Sequence, residues 1–274
     1  MIRAEIDSFR QTVWDYYGQY GRDLPWRIIN DNKQLFAYHV LLSEFMLQQT
    51  QVNRVIPKYQ AWLERFPTIT DVATADLAEV LTYWNGLGYN RRARFVQNAC
   101  QAVITDYAGQ VPDDIVVLQK LQGIGHNTAA AIITYAYNRS EVFIETNIRT
   151  VFIYHFFPDQ DKVSDNELVP LLEQTLDKED PRQWYWALMD YGSYLKKEHG
   201  NASVRSKHHT KQSSFVGSKR QIRGQVIKYL IAGEKTSEEL AELCCDDRLP
   251  GILEDLVGEQ LILKTGVGYR LPTA

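Results

Sequence analysis

Hydrophobic residues in the first two-thirds of the chain recur at the spacing of an α-helix. In residues 4–18, for example, Ile6, Phe9, Val13 and Tyr17 fall on one helical face. Turns rich in Gly, Pro, Asn and Asp separate such segments, and convincing period-two alternation is absent before residue 219. The pattern therefore predicts an all-α arrangement, with helices over 4–18, 38–48, 51–66, 76–84, 91–107, 114–121, 127–137, 147–157, 166–176 and 182–197.

The last quarter of the chain follows a different pattern. Residues 198–218 are polar, basic and rich in Ser and Gly, which is typical of a linker. Beyond them the pattern predicts helices over 221–231, 236–244 and 248–259. Thr236, with Glu239 three residues later, is the candidate N-cap of the second of these helices. LILKTGVGYRL (261–271) alternates like a short β-hairpin. Three helices followed by a hairpin are typical of a winged-helix domain. Because the third helix is acidic, both DNA and protein stay open as partners of this domain.

The distribution of charge favours a nucleic-acid partner, although the net charge does not. The formal net charge is -4 at pH 7, which by itself argues against a polyanionic partner. Eight basic residues and one acidic residue nevertheless fall between Lys196 and Gly224. Positive charge concentrated in this way suits a phosphate backbone. A solvated linker is the alternative interpretation.

The cysteines and the hydropathy pattern predict the compartment. The three cysteines, Cys100 and the adjacent Cys244 and Cys245, do not form a disulfide framework. The chain opens without a charged-then-apolar leader, and no run is long and apolar enough to span a bilayer. We therefore expect a cytoplasmic protein without a membrane partner, associated with the nucleoid if it is bacterial.

The stretch from Leu121 to Arg149, LQGIGHNTAAAIITYAYNRSEVFIETNIR, carries the most informative local chemistry. Gly123 and Gly125 bracket Ile124 in a tight turn that leads directly into a predicted helix. Backbone N–H groups at such a helix N-terminus bind phosphate without reading base sequence. Any tight turn between helices can carry the same glycines, so this motif alone leaves both interpretations open.

Further segments accompany the turn: LPWR (24–27), LLSEFMLQQTQV (41–52), WNGLGYNRRAR (84–94) and MDYG (189–192). Together with L-x-G-I-G-x-x-T-A and the ETN that follows it, they resemble the helix-hairpin-helix DNA glycosylase superfamily (HhH-GPD), and within it the adenine DNA glycosylases of the MutY type. The resemblance covers roughly residues 5–192, in the order of the family.

The resemblance implies an all-α, two-lobed helix-hairpin-helix glycosylase core with the active site between the lobes. The pattern of the last quarter of the chain adds a small C-terminal winged-helix-like (α+β) domain. The partner is expected to be double-stranded DNA with a mismatched or damaged base, bound by a monomer. The expected bounds are 1–200 for the core, with 24–133 as the six-helix lobe that carries the hairpin and 1–23 plus 134–200 as the second lobe, 201–218 for a basic linker, and 219–274 for the winged-helix-like domain.

Two carboxylates are candidates for the chemistry of base removal. Cleavage of an N-glycosidic bond needs a proton for the leaving base and a negative charge near the sugar. Glu44 lies in an apolar helical stretch, where desolvation raises the pKa of a carboxyl and favours a general acid. By the resemblance, Glu44 protonates adenine N7 and helps to position the attacking water. A glutamate on a solvent-facing helix surface is the alternative.

Glu145 matches the family position of an aspartate that stabilises the oxocarbenium-like transition state or bonds transiently to the sugar. Asn147 matches an asparagine that supports these carboxylates. The glutamate departs from the family pattern by one methylene, which leaves open a compensating pocket or a different substrate. A structural role as the cap of the helix that follows is the alternative for Glu145.

The resemblance also assigns residues that contact DNA while the target base is extruded. Leu87 and Tyr89 match a turn that intercalates on the side of the opposite strand, although Asn90 replaces a second aromatic residue of the family. The expected DNA-binding residues are Gln48, Gln49, Thr50, Leu87, Gly88, Tyr89, Arg91, Gly123, Ile124, Gly125, His126 and Thr128, with Arg92 and Arg94 as further phosphate contacts, and the expected base pocket holds Asn127 and Leu47. Arginines at a helix start can also be merely solvated.

Two departures from the family pattern concern catalysis and cofactors. Asn127 stands where bifunctional relatives have a lysine, so no amine is expected there for a Schiff base with the abasic sugar. After MDYG the family commonly has four cysteines that hold an iron-sulfur cluster, and this sequence has none there. We expect no cofactor and no metal, because His199, His208 and His209 lack cysteine partners and the spacing of a tetrahedral zinc site.

These features predict a monofunctional DNA N-glycosylase of base-excision repair that removes adenine mispaired with 8-oxoguanine or guanine, without strong AP-lyase activity. One alternative changes the base to thymine or uracil opposite guanine, or to an altered purine such as hypoxanthine. Another is a non-catalytic DNA-binding protein on the same scaffold. Glu44 argues against the last, because a binding protein does not require a carboxylate on that apolar face.

Overall fold

The structure is a computed structural model that describes residues 3–212 and 214–273. Helices dominate, and one short hairpin lies near the C-terminus, which confirms the predicted all-α core and small α+β tail. The helices are α1 Arg3–Tyr20, α2 Lys33–Leu47, α3 Val52–Arg65, α4 Ile69–Thr74, α5 Leu77–Trp84, α6 Arg91–Asp106, α7 Ile115–Leu118, α8 His126–Tyr137, α9 Thr146–Phe156, α10 Asp165–Thr175, α11 Pro181–Glu198, α12 Lys219–Ile231, α13 Ser237–Cys244 and α14 Leu249–Gly258. The strands are β1 Leu263–Lys264 and β2 Tyr269–Arg270, and short 3-10 helices span Pro25–Arg27 and Ala202–Arg205.

Side-chain caps explain where several helices begin. The Oδ1 of Asn32 accepts hydrogen bonds from two backbone N–H groups at 3.1 Å each, so α2 begins before residue 38, the predicted start. A capping box of Thr68 and Asp71 opens α4, which hydrophobic periodicity did not predict. The predicted cap at Thr236, with Glu239 three residues later, is confirmed as the capping box of α13.

The chain divides into two compact units. The first comprises Met1–Arg27, Asp113–Gln119 and Ile124–Lys211, and the second comprises Ile28–Pro112, Lys120–Gly123 and Gln212–Ala274. The predicted lobes, linker and tail domain stay predictions, because compactness does not show which parts fold by themselves. Below, the segment Gln212–Ala274 is called the tail.

Aromatic side chains hold the helices of the first unit together. The ring of Phe9 on α1 lies 5.3 Å from that of Phe152 on α9 and 6.2 Å from that of Trp184 on α11, measured between centroids. All three side chains are buried. Burial of each large apolar side chain contributes roughly 1.5–3 kcal/mol, so this cluster fixes α9 and α11 against each other.

A buried ion pair anchors α11 to the N-terminal segment, and it joins the LPWR and MDYG motifs. Asp190, 1% exposed, accepts hydrogen bonds from Arg27 Nη1 and Nη2 at 2.8 Å each and from Arg22 Nε at 2.7 Å. Burial alone would raise the pKa of the Asp190 carboxyl, but the hydrogen bonds and charges of Arg27 and Arg22 outweigh burial and hold the pKa below its ordinary value.

We expect Asp190→Asn to lower the free energy of unfolding by about 3 kcal/mol at pH 7, because two arginines lose a buried charged partner. Since the pKa of Asp190 is depressed in the folded state, this stabilisation is present above the unfolded-state pKa and is lost as pH falls through the folded-state pKa. Urea unfolding across pH measures both effects, with the exposed Asp7→Asn as control. An equal and small loss in the two variants would contradict the role of Asp190.

The tail packs within the second unit on helices from the middle of the chain. The N–H of Ala78, on α5, donates to the carbonyl oxygen of Pro272 at 3.0 Å. Arg94 Nη1, on α6, donates to the carbonyl oxygen of Glu259 at 2.7 Å. Helix α12 also packs against α5. These contacts show that the tail and the segment around α5 and α6 share one compact unit.

The C-terminal hairpin is small and is extended by one further bridge. Strands β1 and β2 are antiparallel, with Leu263 opposite Arg270 and Lys264 opposite Tyr269. Tyr269 also pairs with Lys235 before α13. Three helices followed by this hairpin agree with the winged-helix-like arrangement predicted for the tail.

Cys100, Cys244 and Cys245 are free thiols. Among the residues that the structure describes, no helix has the length and the apolar character needed to cross a membrane.

Candidate functional site

Glu145 lies at the point where the chain enters α9, as the N-cap residue of that helix. Its backbone is extended, with φ -94° and ψ 163°, and its side chain is half-buried. Within residues 3–212 and 214–273, the Glu145 side chain makes no capping hydrogen bond to α9. The interpretation of Glu145 as a helix cap is therefore not supported.

Burial raises the pKa of the Glu145 carboxyl above its ordinary value. Positive groups act in the opposite direction: the guanidinium of Arg149, the N–H of Thr146 and the ammonium of Lys196. The N-terminus of α9 adds the positive end of the helix dipole. Glu145 is thus a partly desolvated carboxyl whose pKa is raised on balance, with nearby cations that oppose part of the effect of burial. When ionised, such a carboxylate suits stabilisation of a positive charge.

Asn147, in the first turn of α9, is held by two residues of α11. Its Oδ1 accepts a hydrogen bond from Lys196 Nζ at 2.7 Å. Gly192, in the MDYG motif, has no room for a side chain, because a Cβ there would lie 2.3 Å from the carbonyl oxygen of Asn147. The sequence patterns did not predict this role of Lys196, although its position one helical turn after Gly192 is a usable signal.

Asn127, predicted to line the base pocket, lies exposed in the first turn of α8. Its Nδ2 donates to the carbonyl oxygen of Ile144 at 3.2 Å, and this ties the start of α8 to the residue before Glu145. Leu47, the other predicted pocket residue, is half-buried at the end of α2 in the second unit.

The two glycines of the predicted hairpin have different roles. Gly123 has φ +86°, and a Cβ there would lie 2.6 Å from the side chain of Phe95 and 2.9 Å from that of Phe45. Gly125 has φ -88° as the N-cap of α8, and a Cβ there would meet nothing within 4 Å. The fold therefore requires Gly123, whereas Gly125 leaves the N-terminus of α8 open. In the residues around Gly125, Ile124 is buried, His126 is exposed and Thr128 is half-buried.

We expect Gly123→Ala to destabilise the protein by about 1–3 kcal/mol, because the backbone conformation and the packing both exclude a side chain. Gly125→Ala should change stability by less than about 0.5 kcal/mol, yet weaken binding of duplex DNA about tenfold, because the methyl group keeps a phosphate from the N–H groups of α8. Thermal unfolding and fluorescence anisotropy measure the two effects. Unchanged DNA affinity in Gly125→Ala would contradict a phosphate contact at this turn.

Glu44 lies on α2 in the second unit, among apolar side chains. The adjacent Ser43 and Phe45 are 2% and 0% exposed, whereas Glu44 is half-buried. Its carboxyl is therefore not on a fully solvated helix face. The role of Glu44 as a general acid stays a prediction. Glu145 belongs to the first unit, and the convergence of the two carboxylates on one nucleotide stays a prediction.

Arg92, expected to contact a phosphate, is instead a buried support. It is 7% exposed, and its guanidinium donates to the carbonyl oxygens of Phe45 and Gln48 at 2.6 Å each, to that of Gly88 at 3.1 Å and to Thr50 Oγ1 at 3.0 Å. Burial lowers the pKa of Arg92 to about 10, so it remains a cation at neutral pH. Arg92 therefore joins the loop after α2 to the turn before α6, the two segments predicted to meet DNA.

Arg91 and Arg94 lie on the surface of the same unit. Arg91 Nη1 is 4.0 Å from a carboxylate oxygen of Glu259, and 59% of the Arg91 side chain is exposed. Arg94 is half-buried and donates to the main chain of Glu259 and to the side chain of Gln260. Arg91 thus keeps the exposure that a phosphate contact needs, whereas Arg94 anchors the tail.

Tyr89 is the exposed aromatic residue of the predicted intercalating turn. It has φ +48° and is 37% exposed, whereas Leu87 is 3% exposed. The guanidinium of Arg220 lies 4.9 Å from the centroid of the Tyr89 ring and donates to its hydroxyl, as does the side-chain amide of Gln212. The tail therefore contacts both the ring and the hydroxyl of Tyr89, the exposed side chain of this turn.

A cleft of about 480 Å³ opens beside Tyr89 within the second unit. The turn 85–90 and α12 of the tail line it, and Arg54, Arg220 and Lys228 contribute cations. Sequence reasoning missed this joint surface, because no local pattern relates α12 to a turn more than a hundred residues earlier.

The stretch after MDYG does not fit a cysteine-ligated cluster. It contains no cysteine, and its side chains serve the fold. Asn201 caps the 3-10 helix Ala202–Arg205, and Arg205 donates to the carbonyl oxygens of Phe157 and Pro158. In the described ranges, His, Cys, Asp and Glu residues form no group of three that could hold a metal ion.

Comparison with known proteins identifies relatives over most of the chain. Residues 42–174 match the model of the HhH-GPD superfamily base excision DNA repair protein. The chain is 43% identical over 136 residues to an adenine DNA glycosylase of Mycolicibacterium smegmatis, which covers 50% of this chain and 45% of that protein. It is 36% identical over 197 residues to an adenine DNA glycosylase of Rattus norvegicus, and the match covers 69% of this chain and 38% of that protein. It is 29% identical over 281 residues to an adenine DNA glycosylase of Mycobacterium tuberculosis, and the match covers 94% of this chain and 91% of that protein. The chain thus spans less than half the length of the first two relatives.

Solved structures with a similar fold include a thermostable thymine-DNA glycosylase and an endonuclease III in a non-covalent complex with DNA. The first has a TM-score of 0.60 at 22% identity, covering 69% of this chain and 87% of that chain. The second has a TM-score of 0.60 at 20% identity, covering 72% and 89%. These likenesses concern the helical architecture.

Proposed function

We propose that this chain, which belongs to the HhH-GPD superfamily of base excision DNA repair proteins, hydrolyses the N-glycosidic bond of adenine mispaired with 8-oxoguanine or guanine in double-stranded DNA. The relatives named adenine DNA glycosylase support the choice of base. The observation that carries the proposal is the pair of carboxyls in different surroundings. Glu44 lies among the apolar residues of α2, and Glu145 lies beside Arg149 and Lys196.

Glu44 is proposed as the general acid and, later, the base. Its proton passes to N7 of adenine, the bond between N9 and C1′ breaks, and the bonding electrons leave with the base. Water then adds to C1′ and gives its proton to the Glu44 carboxylate. The products are free adenine and an abasic site, and Glu44 returns to its starting state.

Glu145 is proposed to stabilise the positive charge that develops on the sugar while the bond breaks. For this it must be ionised, and the cations around it oppose the burial that raises its pKa. Asn147, held from α11, supports the placement of this carboxylate. Glu145 is one methylene longer than the family aspartate and lies at an extended residue just before the helix.

Contacts with DNA are proposed for two surfaces. The N-terminus of α8, left open at Gly125, binds a phosphate of the strand that carries the target base. Tyr89 enters the duplex on the side of the opposite strand, from a turn that the buried Arg92 supports. The chain is proposed to act as a monomer.

We further propose that the enzyme lacks strong AP-lyase activity, because Asn127 stands where a lysine would be needed and its amide cannot form a Schiff base. Borohydride reduction during the reaction should trap little covalent protein–DNA complex. A trapped complex in good yield would overturn this part of the proposal.

A panel of duplexes tests the proposed substrate. Adenine opposite 8-oxoguanine or guanine, thymine or uracil opposite guanine, and hypoxanthine opposite thymine are incubated with the protein, and abasic sites are then cleaved with alkali. We expect product from the two adenine mispairs. Product from one of the other duplexes alone would change the base assigned here. Binding without product from any duplex would favour a non-catalytic DNA-binding protein.

A further inference from the structure

We infer that Lys196 is a positioning residue of the active site, which orients the side-chain amide of Asn147 and supplies the counter-charge for the Glu145 carboxylate. This inference rests on the proposed function and deepens it. It assigns a role in the reaction to a residue that the sequence pattern places only within a basic stretch.

The hydrogen bond from Lys196 fixes which way the Asn147 amide points. An ammonium group donates hydrogen bonds and cannot accept them, so its partner in the amide must be Oδ1. The NH₂ group of Asn147 is then directed away from Lys196. Without the ammonium, the amide could rotate by half a turn and exchange its donor for its acceptor. Lys196 therefore orients the Asn147 amide so that its NH₂ group, a hydrogen-bond donor, lies on the side away from Lys196.

The backbone of α11 makes this placement rigid. Gly192, one turn before Lys196, lies so close to the main chain of Asn147 that no side chain fits between them. Asp190, in the same helix, is anchored by the buried ion pair with Arg27. The ammonium thus projects from a helix that is fixed at two nearby points, which keeps the catalytic geometry within a narrow range.

Two cations act on the Glu145 carboxyl, Arg149 with the larger effect and Lys196 with the smaller. Arg149 is already engaged with Asp165, through Nε to Oδ1 at 2.9 Å and Nη2 to Oδ2 at 2.8 Å, so much of its charge is balanced. Lys196 donates to a neutral amide instead, and its positive charge remains available to Glu145. Burial and the charge of Arg149 lower the pKa of Lys196 overall, and the charge of Glu145 acts against them, which shows that Lys196 and Glu145 interact.

Three variants test the inference. Lys196→Met keeps the length of the side chain and removes the charge and the donor, Lys196→Arg keeps both, and Lys197→Met is the control at an exposed neighbour. We expect Lys196→Met to slow single-turnover release of adenine about tenfold to a hundredfold with little change in DNA affinity, to move the acid limb of the pH–rate profile to higher pH, and to be rescued in large part by Lys196→Arg. Lys197→Met should behave like the wild type.

Two results would overturn the inference. One is an equal effect of Lys196→Met and Lys197→Met, which would indicate a general contribution of positive charge to DNA binding. The other is a borohydride-trapped complex that disappears in Lys196→Met, which would make Lys196 a nucleophile and not a positioning residue.

A measurement on the free protein separates this inference from the proposed function. Titration of the Glu145 carboxyl by NMR, with carbon-13 in the glutamate side chains and Glu145→Gln for assignment, needs no substrate. Lys196→Met should raise the pKa of Glu145, and Lys196→Arg should restore it. If the wild type releases no adenine, the proposed function fails, but the titration still decides the electrostatic role of Lys196. An unchanged pKa of Glu145 in Lys196→Met would reject that role.

Discussion

Replacement of Glu44 by glutamine is expected to reduce the rate of adenine release by about a thousandfold or more. A positioned general acid contributes roughly 10²–10⁴ to a rate, and the same residue is proposed to take the proton of the attacking water. Glutamine keeps the size of the half-buried side chain on α2 but cannot give a proton to N7. The loss should therefore appear in the chemical step and not in DNA affinity.

Single-turnover kinetics on a duplex with adenine opposite 8-oxoguanine measure this effect, and anisotropy on the same duplex measures binding. Glu64→Gln is a matched control, because Glu64 is an exposed glutamate on α3 of the same unit. Loss of activity together with loss of the fold or of DNA binding would leave the assignment of Glu44 as the acid without support.

Replacement of Glu145 by glutamine should reduce the rate about a hundredfold to a thousandfold, because a charge opposite the developing positive sugar is removed. Stability should not fall, because burial disfavours the charged form of Glu145 in the folded state and glutamine is neutral. Glu145→Asp keeps the charge but withdraws it by one methylene, and we expect a loss of about tenfold or more. Activity and stability are thus predicted to separate at this residue.

The pH dependence gives a second test of Glu145. Its carboxylate must be ionised during the reaction, and burial raises its pKa. The acid limb of the pH–rate profile should therefore lie at higher pH than for a solvent-exposed glutamate, with activity rising as pH increases through the pKa. Glu145→Asp should retain an acid limb, whereas Glu145→Gln should lose it. Activity in Glu145→Gln with an unchanged acid limb would assign that limb to another group.

Local patterns were sufficient to predict most of the helices, whereas the resemblance to the HhH-GPD family indicated the two candidate carboxylates. Apolar residues at helical spacing predicted α1, α3 and α6, and the pair Thr236 and Glu239 predicted the start of α13. Helix α4 was missed because it is only six residues long, so it has no clear period. Its capping box, Thr68 with Asp71, is the signal that would have located it.

Contacts between distant segments could not be read from such patterns. Arg92 resembles a phosphate contact at the start of a helix, yet it is buried, because the loop after α2 and the Gly88 turn offer it carbonyl oxygens. In the sequence Lys196 is one charge of a basic stretch. Its hydrogen bond to Asn147 depends on how α11 packs against α9. The contact between the Arg220 guanidinium and the Tyr89 ring likewise depends on where the tail packs. Charged side chains are the most ambiguous in sequence, since exposure and partners decide their roles.

The most direct test of the central claim is alkali-dependent cleavage at the adenine of a duplex that carries adenine opposite 8-oxoguanine. Wild-type protein, Glu44→Gln and Glu145→Gln are compared in single turnover at equal DNA occupancy. We predict complete cleavage with the wild type, none detectable with Glu44→Gln and a strongly slowed reaction with Glu145→Gln. Full activity in both variants, or no product from wild-type protein that binds the duplex, would contradict catalysis by these two carboxyls.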